Sequence, residues 1–340
     1  MGHTKKAVKH PNCPIETLQK LATDSDEDIR WLVAGNPNCS VELLQKLAVD
    51  EDKDVRKEVA KNSNCPIEIL EQLATDEDKY IRKEVAKNSN CPIEILEQLA
   101  TDEDKDVIKE NIVENPSCPA KLLQYFAHDK DKTVRQKVAE NPSCPTKILQ
   151  QLASDDDAWV RRYVASNPNC STEILQQLAN DDDAWVREKV AKNSKCPIEI
   201  LKQLIHNGYE RKNVANNPDC PAEILEQLAS DEDEDVRKAC YNVAQQPDCP
   251  IDKQQAIFRG TITFLARGNF PSDRRLFALR SPHCPVEPLE RCATSIDFLE
   301  RRAVAENPNT PTEVLKTLVS SDADRVVRQY AQTNLDSRNT

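Results

Sequence analysis

Val55-Arg56-Lys57-Glu58-Val59-Ala60-Lys61-Asn62-Ser63-Asn64-Cys65-Pro66-Ile67-Glu68-Ile69-Leu70-Glu71-Gln72-Leu73-Ala74-Thr75-Asp76-Glu77-Asp78 holds all but the last two residues of one period of this chain. Pro66 suits the start of a helix, where its missing N–H costs nothing, and Ile67, Leu70, Leu73 and Ala74 recur at helical spacing on one face. Cys65 is expected at the N-cap, with Glu68 three residues on opposing the positive end of the helix dipole. After the acidic turn, Ile81, Val85 and Ala86 in the next copy mark a short second helix, capped by Asp76 or Asp78. It ends before Asn88, a residue that tolerates left-handed backbone, and turn chemistry follows at Ser89-Asn90-Cys91-Pro92.

The same punctuation returns at Cys13, Cys39, Cys65, Cys91, Cys118, Cys144, Cys170, Cys196, Cys220, Cys249, Cys284 and Thr310, with seven of the eleven spacings equal to 26 residues. A fixed period in this range marks stacked supersecondary units, because neither helix of a repeat can bury its apolar stripe alone. Thr310 with Glu313 reads as a capping box, which extends the N-cap assignment to the whole cysteine column. The expected organisation is a regular array over 1–249, an irregular or degenerate repeat over 250–283, and repeats continuing the solenoid over 284–340. The segment from Gln254 to Pro271 holds three of the six phenylalanines and two of the five glycines, and fits either an insertion on a binding face or a decayed repeat with a longer helix.

This period, from Val55-Arg56 through Asn62-Ser63-Asn64-Cys65-Pro66 to the Asp76/Asp78 pair, resembles the leucine-rich repeat variant family. The resemblance covers nearly the whole chain outside roughly 250–275. It implies an all-α, HEAT/armadillo-like solenoid of about twelve repeats, a right-handed superhelix in which α-helices alternate with short α- or 3₁₀-helices, without a β-sheet. The founding type of the family carries a cysteine cluster for an iron–sulfur centre beside its repeats. This chain has no Cys-x-x-Cys and no close cysteine group, so no cofactor is expected.

The formal net charge is −12, with 31% charged and 4% aromatic residues, which suits a soluble helical array and disfavours a nucleic-acid partner. No apolar run reaches the ~18 residues of a membrane span, and Met1 to Lys6 precedes no apolar segment of signal-peptide length. A cytoplasmic protein with no membrane partner is expected. Eleven of the 13 cysteines form the column and lie about one helix spacing apart, too far to bridge, while Cys240 and Cys292 lie off it, Cys292 at the position of Leu73; they read as small structural groups in a reducing compartment. The acidic turns, such as Asp76-Glu77-Asp78 and Asp155-Asp156-Asp157, lack the glycine and distal glutamate of a calcium loop. Arg30, Arg56, Arg82, Arg135, Arg161, Arg187, Arg211 and Arg237 form a basic column that Ile108 interrupts, and ion pairs to neighbouring carboxylates account for it.

No catalytic constellation, metal set or phosphate loop is present in the sequence, and no small-molecule substrate is indicated. The distinctive feature is the position before the Val-Arg pair. It is polar at Asp54, Asp106, Thr133 and Asp235, and aromatic at Tyr80, Trp159, Trp185 and Tyr209. Aromatic side chains at a site that tolerates Asp are expected to be partly exposed and suited to hot-spot contacts with a protein. The expected function is a non-enzymatic protein–protein interaction scaffold or adaptor. The alternatives are a thiol-based redox or metal-responsive protein and a nucleic-acid-binding helical repeat.

Overall fold

The computed structural model describes residues 2–206, 210–265 and 272–338. Among these residues the chain forms 25 α-helices and no strand, and no helix is long and apolar enough to cross a membrane. It divides into two compact units, residues 1–178 and 179–340.

In the first unit each repeat is a seven-residue helix followed by a longer one, as in Ile67–Leu73 and Lys79–Lys87. Both are α-helical. Hydrogen bonds of the 3₁₀ type tighten only the end turns, as where the N–H of Ile81 bonds Asp78 and that of Asn88 is shared between Glu84 and Val85. The apolar stripe is buried as the spacing requires: Ile69, Leu70 and Leu73 from the first helix meet Ile81, Val85 and Ala86 from the second. Second helices of successive repeats pack more closely on each other than first helices do.

The cap of the first helix lies one residue later than the sequence suggests. Pro66 is the N-cap, in extended conformation with its carbonyl accepting from Leu70, and Cys65 precedes it, fully buried. Where serine replaces that proline, at Ser40 and Ser171, the hydroxyl accepts the capping bond from Leu43 or Ile174, each at 3.4 Å. Thr310 is therefore no capping box. Its buried hydroxyl donates to the Val304 carbonyl at 2.6 Å, while Glu313 pairs with Lys316. A small side chain able to sit in the core is what Cys and Thr share here.

The asparagine has a different role from the one its turn chemistry suggests. Asn62 ends its helix at φ −63°, ψ 127°, and no described residue has a positive φ. Its buried amide instead donates to the carbonyls of Ala34 at 2.6 Å and Asn36 at 3.2 Å in the preceding repeat, while its Oδ1 accepts from the N–H of Asn64 at 2.9 Å. Asn36, Asn88, Asn115, Asn141 and Asn167 make the same bonds, so a ladder of buried amides runs through the first unit. Each amide satisfies a helix-terminal carbonyl that would otherwise be buried without a donor.

The acidic turn is divided between two tasks. Asp78 caps the second helix, accepting from Tyr80 at 2.8 Å. Asp76 receives Arg56 of the previous repeat through Nε at 2.7 Å and Nη2 at 3.2 Å, while Nη1 of the same arginine holds the Asp50 carbonyl at 2.9 Å. Arg30–Asp50, Arg82–Asp102 and Arg135–Asp155 repeat this geometry. The column is not interrupted at Ile108. That repeat is one residue longer, so Ile108 fills the buried place of Ile81 and Lys109 replaces arginine, reaching Asp129 at 3.1 Å.

In the second unit Asn217, Asn307 and Asn334 bond as their counterparts do. Gln246 and Ser281 occupy the asparagine position of the segment in between, where a fifteen-residue helix, Ile251–Leu265, is followed by Ser272–Arg280. The long helix lies directly against Ala222–Ala229 at Gly260, where a Cβ would stand 2.1 Å from the Glu226 carbonyl oxygen. Phe258 and Tyr241 each meet Phe277 edge-on, at 5.9 and 5.1 Å between ring centres.

Candidate protein-docking surface

The position before the Val-Arg pair is the second residue of the second helix. The capping aspartate fixes its backbone: Asp78 holds the N–H of Tyr80, Asp157 that of Trp159 at 3.0 Å, and Asp183 that of Trp185 at 2.7 Å. At this place a Cβ points away from the buried stripe, so the rings emerge from the surface. Tyr80 is 50% exposed, Trp159 47% and Trp185 56%. Trp159 lies in the first unit, with the Arg162 guanidinium 4.7 Å from its ring centre, and Trp185 in the second. Tyr209 lies outside the described residues.

Three exposed aromatic residues escape a column-by-column reading, Trp31, Tyr125 and Phe298, the last opening the helix Phe298–Glu306. Trp31 is on its second helix but three places further on than Tyr80, and Tyr125 stands on a first helix against Phe126. A search for aromatic residues at any solvent-facing position of the repeat would have found all three. Lys57 and Lys83, beside Tyr80, were likewise not singled out.

Every cysteine but the half-buried Cys249 is buried. Burial pushes Cys39, Cys65, Cys91, Cys118, Cys144, Cys196, Cys220 and Cys284 up to about 12, far from the range of a reactive thiolate. Among the described residues no three His, Cys, Asp or Glu side chains converge as metal ligands would. The outer acids of the turns cap the second helix and hold the arginine closely, while the middle one is turned to solvent and meets the same arginine from outside, as Glu77, 92% exposed, does with Arg56 at 3.8 Å.

A paired-helix repeat held by an amide ladder defines a helical-repeat protein. The family model described as leucine rich repeat variant matches residues 54–78, 158–183 and 210–233. A solved structure titled as a leucine-rich repeat variant with a novel repetitive structural motif is 33% identical, covering 52% of this chain and 70% of its own, at a TM-score of 0.39. The chain belongs to the leucine-rich repeat variant family. The Escherichia coli protein YibA is similar at 17% identity over 98% of this chain and 96% of its own, with a TM-score of 0.23. Kap121p, solved bound to RanGTP, is 11% identical over 98% of this chain and 46% of its own, with a TM-score of 0.27. At these identities neither likeness bears on activity. No curated protein matches the sequence.

Proposed function

We propose that this protein is a non-enzymatic interaction scaffold, and that Tyr80, Trp159, Trp185 and, by its place in the sequence, Tyr209 are its docking residues. The observation that carries the reading is the half-exposure of three aromatic rings at one register position of the repeat. Large rings held on capped helices lose little conformational freedom on binding, which suits them to anchor a partner. The reactive-thiol alternative is opposed by the burial of the cysteine column. The nucleic-acid alternative is opposed by the arginine column, whose members are paired with aspartates rather than free for phosphate.

Affinity capture from the source lysate tests this reading with wild type beside Tyr80→Ala/Trp159→Ala/Trp185→Ala. The expected result is a protein retained by the first and lost by the second. Equal retention by both would move the contact elsewhere.

A further inference from the structure

The helices around Tyr80 carry a charge pattern that points to the chemistry of a partner. Lys53–Lys61 and Lys79–Lys87 each bring three lysines, against Asp54, Glu58 and Glu84, while Arg56 and Arg82 are occupied by their aspartates. The first helices Ile67–Leu73 and Ile93–Leu99 carry Glu68, Glu71, Glu94 and Glu97 and no base. In a chain of net charge −12, cations are thus gathered on the second-helix side.

Several of these lysines are committed. Lys53 faces Asp78 at 3.7 Å, Lys61 faces Glu58 at 3.3 Å and Lys79 faces Asp104 at 3.6 Å. Lys57, Lys83 and Lys87 have no carboxylate within ion-pair distance among the described residues. A concavity of about 220 Å³ opens beside the exposed Tyr80 ring, lined by Lys53, Asp54, Lys57, Asp78, Tyr80 and Ile81. Of its two acids, Asp78 is engaged as a helix cap, so Asp54 is the one opposing charge free to face an occupant.

We infer that this surface docks an extended, acidic segment of a partner protein, with carboxylates on Lys57 and Lys83 and an apolar side chain against Tyr80. The inference rests on the scaffold reading above and names the partner's chemistry. Charge complementarity of this kind steers encounter and fixes register, while the half-buried ring supplies the anchor. A nucleic acid fits less well, because Asp54, Glu58 and Glu84 interrupt the cations that a continuous phosphate backbone would need.

Fluorescence anisotropy on the full chain decides the matter with three labelled probes: a short peptide alternating Glu with Leu, its Lys-for-Glu counterpart, and a single-stranded oligothymidine. The acidic peptide is expected to bind saturably. Lys57→Glu/Lys83→Glu should weaken it about tenfold or more and Tyr80→Ala several-fold, while Asp54→Asn tightens it. All four positions are solvent-accessible, and circular dichroism verifies that each variant is folded. The inference is overturned by an acidic peptide that does not saturate, by equal binding to the lysine variant, by indifference to Tyr80→Ala, or by tighter binding of the oligothymidine. It is also overturned if sedimentation shows self-association that Lys57→Glu/Lys83→Glu abolishes, since the occupant is then a second copy. Failure of the peptide with the aromatic triple variant still losing its captured partner would leave the scaffold reading standing and remove this one; failure of both would remove both.

Discussion

Between Asn36 and Asn167 every repeat is held to its predecessor by the same buried amide, whereas between Asn217 and Asn307 the two positions that should carry it hold Gln246 and Ser281. The first region keeps its period closely; the second lengthens a helix to fifteen residues, brings it into backbone contact at Gly260 and adds an aromatic cluster. Side-chain hydrogen bonding and close apolar packing are thus two ways to join neighbouring units. Only the first leaves a regular period in the sequence.

The ion pairs show the same contrast. In the regular repeats arginine meets the first aspartate of the next acidic turn. Where that aspartate is replaced by Ser295, a glutamate appears at a core position: Glu300, buried, takes Arg275 at 3.0 Å and accepts from the Ser295 hydroxyl. Glu210, also buried, receives Arg187 at 2.9 Å in the same register. The sharpest break of the comparison is therefore Glu300→Val, which deprives Arg275 of its buried carboxylate and should cost about 3 kcal/mol or more in denaturant unfolding. Glu300→Val/Ser295→Asp rebuilds the regular arrangement and should recover most of that loss; a double variant no better than the single would mean that the two arrangements are not equivalent.

Gly260→Ala forces a methyl group into the Glu226 backbone and should cost about 1–3 kcal/mol. Gly35→Ala in the regular region meets only the movable side chain of Glu58 at 3.0 Å and should change stability by about 0.5 kcal/mol at most. Thermal midpoints of the two variants, measured side by side, check the difference.

The pH profile samples both kinds of buried group. Burial alone would raise the carboxyls of Asp50, Asp102 and Asp322, but arginine and backbone N–H bonds outweigh it and hold all three below the ordinary aspartate value. Groups lowered on folding contribute stability above the unfolded value of about 3.9 and lose it as pH falls through the folded one. The eight thiols raised to about 12 act at the other end: their contribution is intact below about 8.5 and is lost as pH rises toward 12. Stability is expected to be flat from about pH 5 to 8 and to fall on both sides; urea midpoints across that range test it.

The smallest effect concerns thiol reactivity. Cys249, at the border of the irregular segment, is half-buried, and the other twelve cysteines are buried. Native protein should show one thiol titrating ahead of the rest with a disulfide reagent, and Cys249→Ser should remove that phase. Several fast thiols would contradict the packed column.

The period, the helix pairs, the Asp78 cap and the outward aromatic rings were all legible, because each is set by residues within one repeat. Asn62 was misread because its partners are Ala34 and Asn36, a full repeat away, while its Asn-x-x-Cys turn gives a sufficient local reason for asparagine. Cys65 and Thr310 suggested an N-cap by their place before a helix, and only burial separates a capping hydroxyl from a core one. Ile108 broke the arginine column because a one-residue insertion shifts the register. Glu210 and Glu300 lay at positions that the pattern reserves for Val, and that local inconsistency was the available signal for a relocated ion pair.

The most direct test of the amide ladder is the urea midpoint of Asn88→Ala measured beside that of Gln246→Ala. Asn88 donates to the Ala60 and Asn62 carbonyls, and its loss strands that of Ala60, since the Asn62 carbonyl keeps the Cys65 N–H, whereas Gln246 is exposed. The ladder predicts a loss of about 2–3 kcal/mol at Asn88 and none beyond about 0.5 kcal/mol at Gln246. Equal effects at the two positions would contradict it.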